Sequence, residues 1–376
     1  MNRIRIAIIS LFLLATVFTQ SDNSTSITDE VTDQEAVSQF QQFLKDFNKT
    51  YSSLGELSMR YISFKTNFIR VRAKQIKNLG VPNKHSVGVT KFMDLTPQQF
   101  QSQYANLVVT SQQLKDSEDA TVADVADVAE DNSATEVPSD ASQTNTSGLP
   151  NLQAPLPILT ATIPASWDWR SYGVVSPVKN QGSCGYCWAF SAIANIEGLY
   201  ARKYGTLKSF SEEQLLDCDY SNSGCNGGNM QYAFNYVKNA GGVMSSSNYP
   251  LSGTRNGCKF SKSLAIARVT GNFNAGQNEA TIKNYVYTTG PLSVALNAKT
   301  LQYYTGGILT SSAASCNPNT LTHGVTIVGY GTANGINYWI VKNSWGPSWG
   351  DKGFFKIARG YGTCGINKYV TSAYIA

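Results

Sequence analysis

Histidine is nearly missing from this chain. Its 376 residues contain two, His85 and His323. A metal centre built on several imidazoles is excluded by that count, and a mixed Cys/His site would have very little to draw on. Long apolar runs are missing as well, outside a short N-terminal stretch, so no stable membrane insertion is expected elsewhere. Residues 163–376 carry a net charge of +9 but no basic run, because their lysines and arginines are scattered singly. That scatter argues against a nucleic-acid partner and reads as a solvated basic surface. Residues 1–162 balance it with a net of −4. The seven cysteines are too few for a disulfide-dense miniprotein. Their odd number fits paired structural cysteines plus one free thiol.

A hydrophobic content of 42% is enough for one large or two modest domains. The chain opens with Arg3 and Arg5 and an apolar run over 6–18, the pattern of a secretory signal over residues 1–20. That route is oxidising and permits disulfides. Asn23, Asn48 and Asn145 head N-x-S/T sequons. Between 34 and 78, Val37, Phe40, Phe43, Leu44 and Phe47 share one helical face. Leu57, Tyr61, Phe64, Phe68 and Val71 share another. His85, a little further on, reads as a surface or turn residue. Residues 107–162 change character: nine acids and no base lie between Asp116 and Asp140, and Val-Ala-Asp repeats around 122–129. Such a stretch reads as a disordered linker.

The remaining residues, 163–376, make a second domain. An apolar, proline-free run from Cys187 to Tyr204 stops at Gly205 and reads as a buried helix. Further helices are expected around 212–216 and 230–238. After these come β-rich runs at 292–296, 324–330, 338–342 and 354–357, separated by Gly, Asn and Ser. A helical half beside a sheet half implies an α+β fold with a cleft between two lobes.

The chemistry starts at Gln181-Gly-Ser-Cys-Gly-Tyr-Cys-Trp-Ala-Phe-Ser191. Read alone, its C-x-x-C fits a zinc half-site, a redox dithiol or a nucleophile. Cys187 falls at the helix start, where unpaired N–H groups and the helix dipole favour a thiolate. A cysteine nucleophile needs a base, and the second domain offers only His323, at the mouth of a β-run. Asn343 follows in Lys-Asn-Ser-Trp-Gly, and an amide can hold an imidazole in one tautomer. Trp345 and Trp349 are placed to shield that bond.

Segments 181–191, 321–331 and 342–350 together resemble the nucleophile, histidine and asparagine segments of the papain family of cysteine peptidases. The resemblance runs from about residue 163 to the C-terminus. It implies a papain-like two-lobed fold, an endopeptidase needing no cofactor or metal, and specific roles. Cys187 would be the nucleophile, His323 the general base and acid, and Asn343 the orienting amide. Gln181, with the Cys187 N–H, would form the oxyanion hole. Tyr186 stands where the family usually has Ser or Ala. The resemblance further implies disulfides Cys184–Cys225, Cys218–Cys258 and Cys316–Cys364. The series Glu56, Arg60, Phe64, Asn67, Val71 and Gln75 resembles the propeptide signature of cathepsin L-like members, and Gly88, Thr90, Phe92 and Asp94 resemble their second propeptide motif. Residues 21–106 would then be a helical inhibitory propeptide and the chain's own intramolecular inhibitor.

By the same resemblance Met230, Ala295, Gly324 and Tyr369 line the pocket for the substrate side chain two residues before the cut. Gly227 and Gly228 offer backbone hydrogen bonds to an extended polypeptide. Tyr369, bulky and uncharged, implies aliphatic over basic residues there. The expected product is a monomer of the secretory pathway, destined for a lysosome, an acidic vacuole or the exterior. Two rival readings differ in class: a silent family member acting as a binding or storage protein, and a zinc or redox protein. Loss of peptidase activity in Cys187→Ala separates both from the enzyme.

Overall fold

The structure is a computed structural model describing residues 31–81, 84–120, 162–312 and 314–376. The signal stretch, Asn23, the Val-Ala-Asp repeat and Asn145 lie outside the described residues. The chain divides into two compact units, residues 1–100 with 300–307, and residues 101–299 with 308–376.

The first unit is built on two helices, α1 (Asp33–Asp46) and α2 (Leu54–Asn78). Thr32 and Ser53 cap their N-termini by accepting from Glu35 and Glu56 N–H, each at 3.1 Å. The two aromatic faces meet in one core. Phe40, Phe43 and Phe64 pack with ring centroids 5.1–6.0 Å apart, joined by Leu57, Tyr61, Phe68 and Val71. Buried Asn67 donates its amide to the carbonyls of Met93 and Leu95 at 2.9 and 2.8 Å, fixing the turn after the helix pair. Asp94 in that turn accepts from Lys49 and Tyr51, each at 2.9 Å. Asn48, in its sequon, is exposed.

Residues 300–307 join this unit by backbone pairing. Ser86–Val87 and Tyr304–Gly306 form a two-stranded antiparallel sheet. The Thr90 hydroxyl donates to the Gln302 carbonyl at 2.6 Å, and the Tyr303 hydroxyl to Asn67 Oδ1 at 2.7 Å. Residues 300–307 therefore belong to the first compact unit although they lie far along the chain. His85 corrects an expectation. It is 1% exposed rather than on the surface, and its ring is stacked near that of Tyr304. Neither ring nitrogen has a hydrogen-bond partner. Burial, with Lys74 and Lys84 nearby, lowers its pKa to about 4 and keeps it neutral.

In chain order come α3 (Pro97–Tyr104), which crosses the unit boundary, and α4 (Ser111–Asp119). Helix α4 corrects the reading of 107–162 as a disordered linker from its first residue. Thr110 and Gln113 form a capping box, and Gln113 and Ser117 are buried. Leu114 packs against the apolar core of the second unit. Composition alone could not supply the surface that folds this stretch.

The rest of the second unit is α+β. Helices α5 (Cys187–Tyr204), α6 (Glu212–Cys218) and α7 (Met230–Ala240) make its first half. Helix α8 (Glu279–Thr288) accompanies strands β1 (Val269–Asn274), β2 (Leu292–Leu296), β3 (His323–Ala333), β4 (Ile336–Lys342), β5 (Phe354–Ala358) and β6 (Val370–Ile375). They pair in the order β1-β6-β2-β3-β4-β5, with Ile308–Leu309 beside β5. Strands β3 and β4 form a hairpin whose turn, Asn334-Gly335, has positive φ at both positions, as such a two-residue turn requires. The hairpin brings the start of β3 and the end of β4, His323 and Asn343, to one edge of the sheet. Helix α5 lies against β3, β2 and β6. Gly198 makes this approach possible, because a Cβ there would collide with the Pro291 ring.

Candidate active site

Helix α5 is stapled to the sheet one turn beyond Cys187. The Ser191 hydroxyl donates to the Val325 carbonyl at 2.7 Å, while the Ser191 carbonyl accepts from Ser293 at 2.9 Å. Asn195 spans Pro291 O and Ser372 Oγ at 2.7 and 2.9 Å. These bonds set the helix start against the start of β3. There the Gly324 N–H lies 3.4 Å from Cys187 Sγ, immediately after His323 in the chain.

His323 Nε2 lies 2.8 Å from Asn343 Oδ1. That oxygen also accepts from the Ser344 N–H at 2.8 Å, so it is an acceptor toward both neighbours. The imidazole therefore carries its proton on Nε2 and leaves Nδ1 without one. Trp345 stacks on the ring at 4.6 Å and Trp349 packs edge-on against Trp345. Both tryptophans are buried and keep water from the imidazole–amide bond.

Gln181 is held from both sides. Its N–H donates to Ser344 O at 2.8 Å, its Oε1 accepts from Ser344 Oγ at 2.6 Å, and its Nε2 donates to Cys184 O at 3.0 Å. The structure pairs Cys184–Cys225, Cys218–Cys258 and Cys316–Cys364, leaving Cys187 free among the cysteines. Each closed loop is worth about 3–4 kcal/mol in the chain-entropy account.

Residues 105–120 fill this cleft. The Leu107 N–H donates to Thr322 O and the Val108 N–H to Gly228 O, both at 2.9 Å, so the segment bonds to both walls. Asn229 donates to Val108 O at 3.1 Å and to Gln113 Oε1 at 3.2 Å. The Leu107 side chain, 7% exposed, joins a buried cluster with Met230, Ala295 and Tyr369, and lies close against Gly324. The Tyr369 hydroxyl lies 2.7 Å from Asn229 Oδ1 and 2.8 Å from Gln231 Oε1 and donates its one hydrogen between these two acceptors.

This cover changes the expected ionisation. A helix start was expected to favour the thiolate. Burial instead pushes the Cys187 thiol up to about 11, and the Gly324 and Asn106 backbone N–H groups only partly offset it. Burial also lowers His323 to about 4 against the pull of Asn343. The Tyr104 backbone lies near enough to favour the charged ring, although Nδ1 makes no well-formed hydrogen bond. With its cleft filled, the site holds a neutral thiol and a neutral imidazole. The sulfur meets backbone N–H donors from Asn106 and Gly324.

Below the site lies a buried charge network that the sequence did not point to. Lys179 reaches Glu197, Glu212 and the Phe210 carbonyl at 2.8, 2.7 and 2.9 Å. Lys342 donates to Ser176 at 2.7 Å, and Ser176 bonds to Glu197. Burial raises Glu212 to about 7. Its folded pKa then exceeds the unfolded value, so the folded state binds the proton more tightly and stability falls as pH rises between the ordinary carboxylate range and about 7. We expect the melting temperature of thiol-blocked enzyme to drop by at least about 2 °C from pH 5 to pH 7.5 from this group. Glu212→Gln should flatten that slope, and an unchanged slope would contradict the assignment.

The site brings together a free thiol at a helix start, an imidazole bonded to an amide oxygen and a segment of the same chain in the cleft. The papain family cysteine protease profile matches residues 163–374, and the cathepsin propeptide inhibitor domain matches residues 40–100. The chain belongs to the papain family. Cysteine proteinase 1 of Dictyostelium discoideum is 35% identical over 98% of this chain and 99% of its own length. Cathepsin F of Drosophila melanogaster is 36% identical over 90% of this chain, which spans only 50% of that relative. The solved structure of digestive procathepsin L 3 from the Tenebrio molitor larval midgut superposes with a TM-score of 0.73 at 31% identity, over 90% of this chain and 98% of that one. Cathepsin-named relatives and three disulfides indicate a secretory or lysosomal route. Among the described residues no helix is long and apolar enough to cross a membrane.

Proposed function

We propose that this chain is the precursor of a cysteine endopeptidase. Residues 1–20 act as the signal and 21–106 as the inhibitory propeptide, and cleavage within 121–162 frees a monomeric enzyme. Cys187 attacks the scissile carbonyl as His323 Nδ1 takes the thiol proton. The oxyanion rests on Gln181 Nε2 and the Cys187 N–H. His323 then protonates the leaving amine, and water, deprotonated by the same imidazole, releases the acyl group. Asn343 orients the ring throughout. The enzyme works on polypeptides in a lysosome, an acidic vacuole or outside the cell.

One observation carries this reading: the buried Leu107, close against Gly324 and in the same apolar cluster as Met230, Ala295 and Tyr369, with backbone bonds to Thr322 and Gly228 on either side. Gly227 and Gly228 offer an extended polypeptide the same backbone path. A pocket that accepts leucine and has Tyr369 hydrogen-bonded at its base has no carboxylate for a cation. A fluorogenic panel varied two residues before the cut should favour leucine or valine over arginine by about tenfold or more in kcat/KM. Preference for arginine would overturn the pocket assignment. No hydrolysis of any member by processed enzyme would overturn the activity.

A further inference from the structure

The inhibitory fold uses only one face of α2. Leu57, Tyr61, Phe64, Phe68 and Val71 go into the core, yet the opposite face is also apolar. Met59, Ile62, Thr66, Ile69, Ala73 and Ile76 recur at alternating spacings of three and four, and all six are exposed. Met59 is 65% exposed, Ile62 58%, Ile69 44% and Ile76 38%. The row is about 25 Å long at the rise of an α-helix. It repeats the a and d positions of a heptad, with isoleucine at every d. Cations border it on both sides, Lys65 and Arg72 on one and Arg70 and Lys77 on the other. The whole helix holds six cationic residues and one acid, Glu56.

We propose that this face docks an acidic amphipathic helix of another protein, which holds the precursor and loses its grip when the propeptide is removed. The strict two-per-heptad row matches the ridge of a partner helix packed knobs-into-holes. It has no aromatic side chain among the six, unlike a face that anchors in the lipid interface. A second copy would set the flanking cations of one helix against those of the other in either orientation, which is repulsive. Lys65 and Arg72 already pair with Asp33 and Glu35 of α1. Acidic specificity therefore falls mainly on the opposite border, Arg70 and Lys77, and an acidic helix meets that charge.

The test uses full-length precursor carrying Cys187→Ala, so that it is not processed. The probe is a synthetic four-heptad peptide with leucine at a and d and glutamate at e and g, compared with a peptide bearing lysine at e and g. The acidic peptide should bind and the basic one should bind at least about tenfold more weakly. Adding 0.5 M salt should weaken the acidic complex at least about tenfold. Ile62→Glu with Ile69→Glu should abolish it. Lys77→Glu, at an exposed position, should narrow the preference between peptides, while Arg70 is left in place because its guanidinium also donates to Asn67 Oδ1 at 3.3 Å. Equal binding of both peptides, or of neither, overturns the proposal. Binding to vesicles of phosphatidylcholine with phosphatidylserine, without peptide binding, assigns the face to a membrane instead. A dimer of the precursor that is lost in the isoleucine variant assigns it to a second copy. Melting temperatures within about 2 °C of the parent keep each variant interpretable.

Discussion

Replacing Cys187 by alanine is expected to lower kcat/KM of the processed enzyme by about 10⁵-fold or more, the scale seen when a nucleophile acting in concert with its base is removed. The expectation rests on the lack of any substitute. The other six cysteines are joined in disulfides. The sole histidine in this unit is held by Asn343 at 2.8 Å, and the next residue, Gly324, has its N–H 3.4 Å from Cys187 Sγ. Alanine removes only the sulfur from a buried position, so the variant should keep its melting temperature within a few degrees. His323→Ala should cost a similar factor, and the double variant little more than either alone, because the pair acts as one unit. Hydrolysis of a peptide panel by purified Cys187→Ala, titrated against wild type, measures this. Activity surviving within tenfold would place the nucleophile elsewhere and remove the account of the cleft.

Replacing Leu107 by aspartate is expected to break the silence of the precursor. The leucine is buried in a cluster with Met230, Ala295 and Tyr369, and this burial is worth roughly 2 kcal/mol. Aspartate loses that and adds the cost of an unpaired carboxylate in an apolar pocket, several kcal/mol more. The two backbone bonds to Thr322 and Gly228 cannot hold the segment alone. Activity of intact, unprocessed precursor at neutral pH should rise by at least about 100-fold. At pH below the carboxylate range part of the silence should return, since the protonated side chain is cheaper to bury. Leu107→Met, which conserves volume and apolarity, should stay silent. Latency unchanged in Leu107→Asp would mean that another segment blocks the site.

Much of the fold could be read from local pattern because the relevant information is local. The apolar run ending at Gly205 marks a buried helix, observed at Cys187–Tyr204 with Gly205 left-handed at its end. The two aromatic faces of α1 and α2 carry the helical period and meet in one core. The β-rich runs are observed as β2, β3, β4 and β5, with the Asn334-Gly335 turn joining β3 to β4 and a register shift between Ile340 and Val341 in that pair. What could not be read depends on partners distant in sequence. Thr110-x-x-Gln113 is a local signal for a helix start, but nothing local in residues 111–119 shows that the helix packs in a cleft, because that depends on a surface supplied by later residues. Nothing around His85 shows that Tyr304 will cover it. The ionisation of Cys187 belongs to the same class. A helix start favours the thiolate, but the cover over the sulfur removes water and outweighs it, and the cover comes from residues about 80 positions earlier. Tyr186 is fully buried and packed edge-on to Phe190, and its hydroxyl has no hydrogen-bond partner, none of which its neighbours in sequence announce.

The central claim is that one thiol carries the reaction and that the precursor's own chain keeps it neutral and covered. Iodoacetamide labelling read by mass spectrometry tests it directly, on intact precursor and on processed enzyme at several pH values from 5 to 8. The account predicts one label, on Cys187, gained by the processed enzyme in step with loss of activity. It predicts labelling of the precursor at least about 100-fold slower across that range, because its thiol stays un-ionised and out of reach. Equal labelling rates for the two forms, or full activity after Cys187 is labelled, would contradict it.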